Sequence, residues 1–486
     1  MLTKNFYILS TLYLLLTGFH VAVSWHHDAA YITPDEISYL TQARYFSGKD
    51  TSPDVESFQK RDSELTGKKT PPKTEKWPYY HFGYSLLVSP IYWLANTQGT
   101  AYKGIMVFNS FLLSTLFLII FFWVRLIQEI DFKTAAVIAF IVSLYPPYII
   151  HAHIGWSENA LIPGFALTCL LLARHIKVGS ITAVVLFALT AGFQYTIHPR
   201  GIASAIAAIV CLIGLSIAKK DRWQTSLIGI SIVLGIIIAT KMVANDMAIL
   251  MKAVAQGGRI LLRLSSTIEN ELLTTISGNF LYLVLSSLGL FLLGITEGGR
   301  KIIDKGTKNL SYLFSDIYTG SLIYIFIAST LTFGSGIIFL GRTEAWHNSA
   351  QRMDFFLYGR YNEVFLSVYM ALGLLGACYL YEKGIHNYTK RLNTSFLIIV
   401  FLSFAYFLRI SDLHYLRSMH SYGLFPWYYM SFAIGGRLGN AVIFFAPLLW
   451  SWLILQLFLK NKMKAFAALG IYFFLLDLSL TIYVNN

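Results

Sequence analysis

A chain of 486 residues that is 56% hydrophobic and only 13% charged, with a mean hydropathy of +0.57, carries more apolar surface than a soluble fold can bury. Its formal charge of +13 is scattered over many short stretches rather than gathered on one basic module, which argues against nucleic acid as a partner. The charge fits cytoplasmic Lys and Arg under the positive-inside rule, with anionic lipid or a phosphate-bearing substrate as the partners.

Apolar runs of about 20 residues, each long enough to cross the hydrocarbon layer as a helix, recur from end to end. They predict thirteen spans at 5–25, 103–127, 134–151, 158–175, 181–197, 201–218, 224–243, 278–295, 317–340, 363–381, 394–410, 439–458 and 465–482. The first run is too long for a signal-peptide core and lacks a small-residue cleavage site, so it reads as an uncleaved span. With the N-terminus in the cytoplasm, the basic loops at Arg174/Lys177, Lys219/Lys220/Arg222, Arg300/Lys301/Lys305/Lys308, Lys383/Lys390/Arg391 and Lys460/Lys462/Lys464 all fall inside. Cys169, Cys211 and Cys378 lie within spans and read as small apolar side chains rather than a disulfide framework or metal site.

The expected fold class is therefore all-α, a polytopic membrane helix bundle. Two parts are expected: a membrane module over 1–243 that includes the extracytoplasmic loop 26–102, and C-terminal helices over 244–486 with outer loops 341–362 and 411–436. Within loop 26–102, His81 to Ala95 is apolar but too short to span, which predicts an interfacial or re-entrant helix. The mixed apolar and basic segment 247–272 predicts a second helix in the headgroup plane.

Just outside the first span stands Tyr31-Ile32-Thr33-Pro34-Asp35-Glu36-Ile37-Ser38-Tyr39-Leu40. Thr33, Pro34 and Glu36 form a capping box with proline at the first helical position, so helix initiation alone accounts for much of the motif. The same Pro-Asp-Glu, followed by a tyrosine and an amphipathic helix, resembles the signature of GT-C fold glycosyltransferases such as the protein O-mannosyltransferases and the lipid A aminoarabinose transferases. The resemblance implies a catalytic acid in the first extracytoplasmic loop, which falls on Asp35 with Glu36 beside it. Lys76-Trp77-Pro78-Tyr79-Tyr80-His81 resembles the stretch that opens that family's next interfacial helix, and Glu158 supplies the second outer acid expected between the third and fourth spans. Thirteen spans also match the aminoarabinose-transferase architecture. The likeness covers roughly the first 200 residues and leaves the acceptor open.

Other outer segments carry further candidates. Arg360, between Tyr358 and Tyr361 in Tyr358-Gly359-Arg360-Tyr361-Asn362-Glu363, suits a lipid phosphate, as do Arg342 and Arg352; the alternative is an interfacial loop meeting headgroups. His198-Pro199-Arg200 is either a phosphate-binding corner or a helix-breaking turn. His151 and His153, with Glu158 and His81, would hold a divalent cation only in a loop, because residues at i and i+2 do not share a helix face. The run Phe425-Pro426-Trp427-Tyr428-Tyr429 suits sugar stacking or an aromatic belt.

These observations lead to an expected polyprenyl-phosphate-sugar-dependent glycosyltransferase of the inner membrane, with its active site on the periplasmic side. Asp35, Glu36 and Glu158 are the catalytic candidates. Lys76, Tyr80, His81, His198, Arg200, Arg342, Arg360 and Tyr361 are the substrate-binding ones. The acceptor is a glycan such as O-antigen, a lipid or a protein. A flippase or transporter is the rival from another class, but its ionisable residues would sit at mid-bilayer in repeated halves. An O-antigen polymerase or ligase is the second rival, and its large loop would come late in the chain.

Overall fold

The computed structural model describes residues 2–25, 34–51, 78–250, 254–255, 272–306, 310–340, 358–383, 397, 399–404 and 422–485. The chain divides into two compact units. The first comprises Met1–Phe132, Tyr148–Arg259 and Lys305–Thr332; the second comprises Lys133–Pro147, Ile260–Asp304 and Phe333–Asn486. Among the described residues, nine helices are long and apolar enough to cross a membrane.

In the first unit, helix α1 (Leu2–Ser24) packs on a later apolar helix, and α2 (Pro34–Phe46) follows it. The segment β1 (Pro78–Tyr79) leads into α3 (Gly83–Leu94), which packs on α2, and then into the long α4 (Gln98–Ile127), the partner of α1. The Thr97 side chain caps α4 by accepting from the Thr100 backbone N–H at 3.1 Å. Helix α3 occupies the stretch where an apolar segment too short to span was expected. It leaves the side chains of Leu86, Trp93 and Leu94 exposed.

The expected span at 134–151 is two helices instead, α5 (Phe132–Ser143) and α6 (Pro147–Ala152). Adjacent Pro146 and Pro147 explain the break, since proline removes a backbone donor and disfavours helical geometry in the residue before it. Helices α7 (Glu158–Val178), α8 (Ile181–Ile197), α9 (Ile202–Ala218) and α10 (Trp223–Leu250) complete the main body of this unit. Helix α7 packs on α4 and α8, and α8 packs on α10. Gly179, in the left-handed region at φ 71°, ends α7, and Ser180 caps α8 by accepting from the Ala183 N–H at 3.2 Å. The side of α10 away from these partners exposes Leu227, Leu234, Ile238 and Met242.

A helix was expected through 247–272, but Val254–Ala255 forms a short strand, β2, paired in parallel with β1. The rest of that expected helix beyond Leu250 lies outside the described residues. Helix α13 (Leu310–Ser315) packs on α9.

The second unit contains α5, α11 (Leu272–Ser286), α12 (Leu290–Gly306), α15 (Glu363–Lys383), α16 (Phe425–Ile434), α17 (Gly436–Lys460) and α18 (Lys462–Asn485); α14 (Ile317–Leu340) runs from the first unit into the second. One span was expected at 278–295. The structure bends by 103° there, between Thr275–Ser286 and Leu290–Asp304. Leu288 and Gly289 adopt φ of 51° and 79°, which a continuous helix cannot accommodate. The expected span at 394–410 lies mostly outside the described residues. The three cysteines are buried and form no disulfide.

Candidate functional site

The first turn of α2 presents two adjacent carboxylates. Asp35 is half-buried, and its Oδ1 accepts from the Tyr80 hydroxyl at 2.7 Å. Glu36 is fully buried, and its Oε1 accepts from the Tyr102 hydroxyl and from the Gly155 backbone N–H, each at 2.7 Å. Acids in a first turn are favoured by the helix dipole, and both carboxylates stand in that turn. Thr33, the expected N-cap, lies outside the described residues.

Tyr80 reaches Asp35 because its own chain is fixed on two sides. Its carbonyl accepts from Gln42 Nε2 at 3.2 Å, and its ring tilts against Tyr39 at 5.4 Å between centroids. The other face of Tyr80 stacks on the His198 ring at 5.5 Å. Close contact between α3 and the end of α8 sets this geometry. Gly83 lies against the Thr196 backbone, where a Cβ would come within 2.7 Å of the Thr196 carbonyl. One residue after Tyr80, the His81 Nδ1–H donates to the Tyr195 carbonyl at 2.5 Å. Burial pushes the His81 imidazole below its ordinary pKa of 6.5, outweighing the opposing pull of that carbonyl.

Beyond His198 the chain turns through Pro199–Gly201, a single 3-10 turn. His198 Nδ1 accepts from the Arg200 backbone N–H at 3.1 Å and from Arg200 Nε at 3.2 Å, which defines its tautomer and orients the guanidinium. Arg200 Nη2 then donates to Glu158 Oε1 at 2.5 Å. Glu158 is fully buried at the first residue of α7, and Arg200 is 9% exposed. A buried carboxylate requires such a partner, and the guanidinium is well suited to supply it.

The resulting ring of contacts runs Asp35–Tyr80–His198–Arg200–Glu158. It returns to α2 through Gly155 and Glu36, three residues before Glu158. His153 and Trp156 flank this return. Tyr102 also donates to the His153 carbonyl at 3.1 Å, and Asn109 and Asn159 both donate to the Ile154 carbonyl, at 3.2 and 2.8 Å. Tyr102, Asn109 and Asn159 were not singled out by sequence. Their signal was present as polar groups inside apolar runs, where an unpaired donor is costly.

Of the sequence-predicted residues, the structure brings together Asp35, Glu36, Tyr80, His81, Glu158, His198 and Arg200 in the first unit. Lys76, Arg342 and Arg352 lie outside the described residues. Arg360 and Tyr361 belong to the second unit, where both are buried. There the Tyr358 and Tyr361 rings meet at 4.8 Å, Asn362 donates to Asn279 Oδ1 at 3.0 Å, and the Tyr282 hydroxyl bonds to the buried Glu363 carboxylate.

Two other expectations take a different form. His153 Nδ1–H donates to the Ile149 carbonyl at 2.5 Å, and burial holds this histidine below its usual pKa. Among the described residues, no group of three or more His, Cys, Asp or Glu side chains is placed to hold a metal ion. The aromatic run beginning at Phe425 forms α16, in which Trp427 and Tyr428 are buried and Trp427 stacks on Tyr472 at 6.2 Å. Those two side chains pack within the second unit and so are not an open stacking platform.

No protein-family profile matches the sequence, and no curated protein matches it. Solved structures do. A crystal structure of ArnT from Cupriavidus metallidurans bound to undecaprenyl phosphate matches with a TM-score of 0.51 and 12% identity, over 100% of this chain and 77% of that one. The apo form of the same protein gives 0.48 and 12%, over 99% and 76%. The arabinosyltransferase EmbB from Mycobacterium smegmatis gives 0.45 and 13%, over 97% of this chain and 40% of that one. At these identities the likeness is one of fold. The chain is an integral membrane protein that shares the helical fold of the ArnT structure bound to undecaprenyl phosphate.

Proposed function

We propose that the protein is an inverting glycosyltransferase that moves a sugar from a polyprenyl-phosphate carrier to an extracytoplasmic acceptor, a cell-surface glycan such as O-antigen. The observation that carries this reading is the half-buried Asp35, held by Tyr80 in one ring with the buried Arg200–Glu158 pair. Of the three acids at this site, only Asp35 retains partial exposure. A base must touch the acceptor, and full burial would prevent that.

In the proposed reaction the acceptor hydroxyl attacks the anomeric carbon and passes its proton to Asp35. The bond from that carbon to the phosphate oxygen breaks, and the lipid phosphate leaves as an anion. Arg200, oriented by His198 and anchored by Glu158, stabilises the charge on the departing phosphate. Lys76 adds a cation in the same first outer loop, and Tyr80 and His81 line the sugar side. The site faces the periplasm, opposite the basic cytoplasmic loops. The undecaprenyl phosphate bound by ArnT supports a carrier of that class.

The test is sugar transfer by membranes containing wild type or Asp35→Asn at equal abundance, alongside undecaprenyl phosphate binding by the purified proteins. Loss of a positioned base lowers transfer by about 100- to 10,000-fold, while binding of the carrier phosphate persists. Near-normal transfer by Asp35→Asn overturns the mechanism.

A further inference from the structure

We infer that Glu36, although it adjoins the proposed base, is a positioning residue: it fixes the backbone of residues 153–157 against α2 and thereby places the Glu158–Arg200 pair. This inference rests on the glycosyltransferase reading above and assigns the second acid of the motif a separate task.

Three observations carry it. Glu36 is fully buried, so its carboxylate has no path to an acceptor hydroxyl. Its Oε1 takes one hydrogen bond from a side chain, Tyr102, and one from a main-chain group, Gly155 N–H. Lastly, the two surfaces are in direct contact, since a Cβ on Gly155 would stand 3.3 Å from both Cγ and Oε1 of Glu36.

The segment held in this way is short and heavily tied. Tyr102 joins Glu36 to the His153 carbonyl, Asn109 and Asn159 hold the Ile154 carbonyl, and Asn159 also reaches the Trp156 carbonyl at 3.1 Å. Glu158 follows at once as the first residue of α7. A shift of Gly155 therefore moves the carboxylate that anchors Arg200. Tyr102 and Asn109 sit on α4, so Glu36 joins three elements: α2, α4 and the loop before α7.

An acceptor of two hydrogen bonds does not need a charge, and this separates positioning from base catalysis. Glu36→Gln keeps an acceptor oxygen at the same reach; Glu36→Ala removes it. The experiment measures three things on wild type, Glu36→Gln and Glu36→Ala in lipid nanodiscs. These are undecaprenyl phosphate binding, the pH profile of sugar transfer, and amide hydrogen exchange of peptides covering 153–157.

The expected result is that Glu36→Ala weakens carrier binding by on the order of ten- to a hundred-fold, the range for losing hydrogen bonds to a charged group. The same variant accelerates exchange at 153–157. Glu36→Gln retains most of the binding and transfer, with the wild-type pH profile and wild-type protection. A Tyr102→Phe change combined with Glu36→Ala is less than additive, because both act on one network.

The inference is overturned if Glu36→Gln is as impaired as Glu36→Ala while exchange stays protected, since the charge would then be doing chemistry. It is also overturned if Glu36→Ala binds the carrier as wild type does. If wild type binds no undecaprenyl phosphate, the parent reading falls and the inference with it. Normal wild-type binding with an unaffected alanine variant removes the inference alone.

Discussion

Asp35 and Glu36 are consecutive residues of α2, and their carboxylates meet opposite surroundings: Tyr80 bonds the half-buried Asp35, whereas Tyr102 and the Gly155 N–H bond the fully buried Glu36. Successive residues on a helix are about 100° apart, so two neighbouring acids are naturally directed at different partners. One helix turn thus fixes both ends of the contact ring. Disturbing either end is expected to reach Arg200 by a different route.

The Tyr80 hydroxyl provides the first test. Tyr80→Phe removes the bond to Asp35 and keeps the ring stacked on His198. Transfer is expected to fall by about ten-fold, the scale of one hydrogen bond to a charged group, with carrier binding near wild type. Tyr80→Ala also loses the stack, so it should weaken both. Equal effects of the two changes on binding would show that the ring does not support His198.

The Glu158–Arg200 pair makes a prediction about stability. Arg200→Ala leaves a buried carboxylate without its guanidinium, which costs about 3–5 kcal/mol. Replacing both partners, Glu158→Leu with Arg200→Met, removes the uncompensated charge and should recover most of that loss. Carrier binding should not recover in the double variant. Thermal unfolding in detergent and undecaprenyl phosphate titration of the same preparations separate the two effects. Recovery of binding would remove Arg200 from the proposed phosphate site.

Gly83 tests how α3 is seated. An alanine Cβ there would meet the Thr196 backbone at 2.7 Å, and backbone yields little. Gly83→Ala is expected to cost about 1–3 kcal/mol, as overpacking does, and to lower transfer further because His81 and Tyr80 lie two and three residues before it. A Gly83→Ala protein with wild-type melting and wild-type transfer would mean that α3 has room to shift.

Much of this site was legible because local chemistry encodes it. The start of α2, the extent of α3 and the position of Glu158 at a helix start follow from a proline at the first helical position, segment length and the limits of an apolar run. The expected span at 134–151 failed at Pro146-Pro147, a local signal outweighed in the reading by overall hydropathy. What could not be read was pairing across long separations: Glu36 meets Gly155 119 positions away, and Glu158 meets Arg200 42 positions away. Periodicity specifies which face of a helix is apolar; it does not specify which buried polar groups find one another. Tyr102 illustrates this, since it looks like one more aromatic in an apolar helix until its hydroxyl is seen bridging Glu36 and the His153 carbonyl.

The histidines give the site a pH dependence whose sign follows from burial. His81 donates to the Tyr195 carbonyl and meets the Tyr195 ring edge-on at 4.7 Å, and its pKa is lowered from 6.5 mainly by desolvation. His153 is lowered for the same reason. As the pH falls below 6.5, the unfolded chain takes up protons that the folded protein still refuses. Stability is therefore fully present above pH 6.5 and declines as the pH drops toward the folded-state pKa values. The unfolding temperature of the wild type should be lower at pH 5.5 than at pH 7.5. His81→Gln removes one contributing group and should reduce that slope, while also weakening the tie between the start of α3 and α8 at neutral pH. Should the wild-type unfolding temperature hold steady or rise on acidification, these imidazoles are not held neutral by burial, and the His81–Tyr195 contact must carry a charged histidine instead.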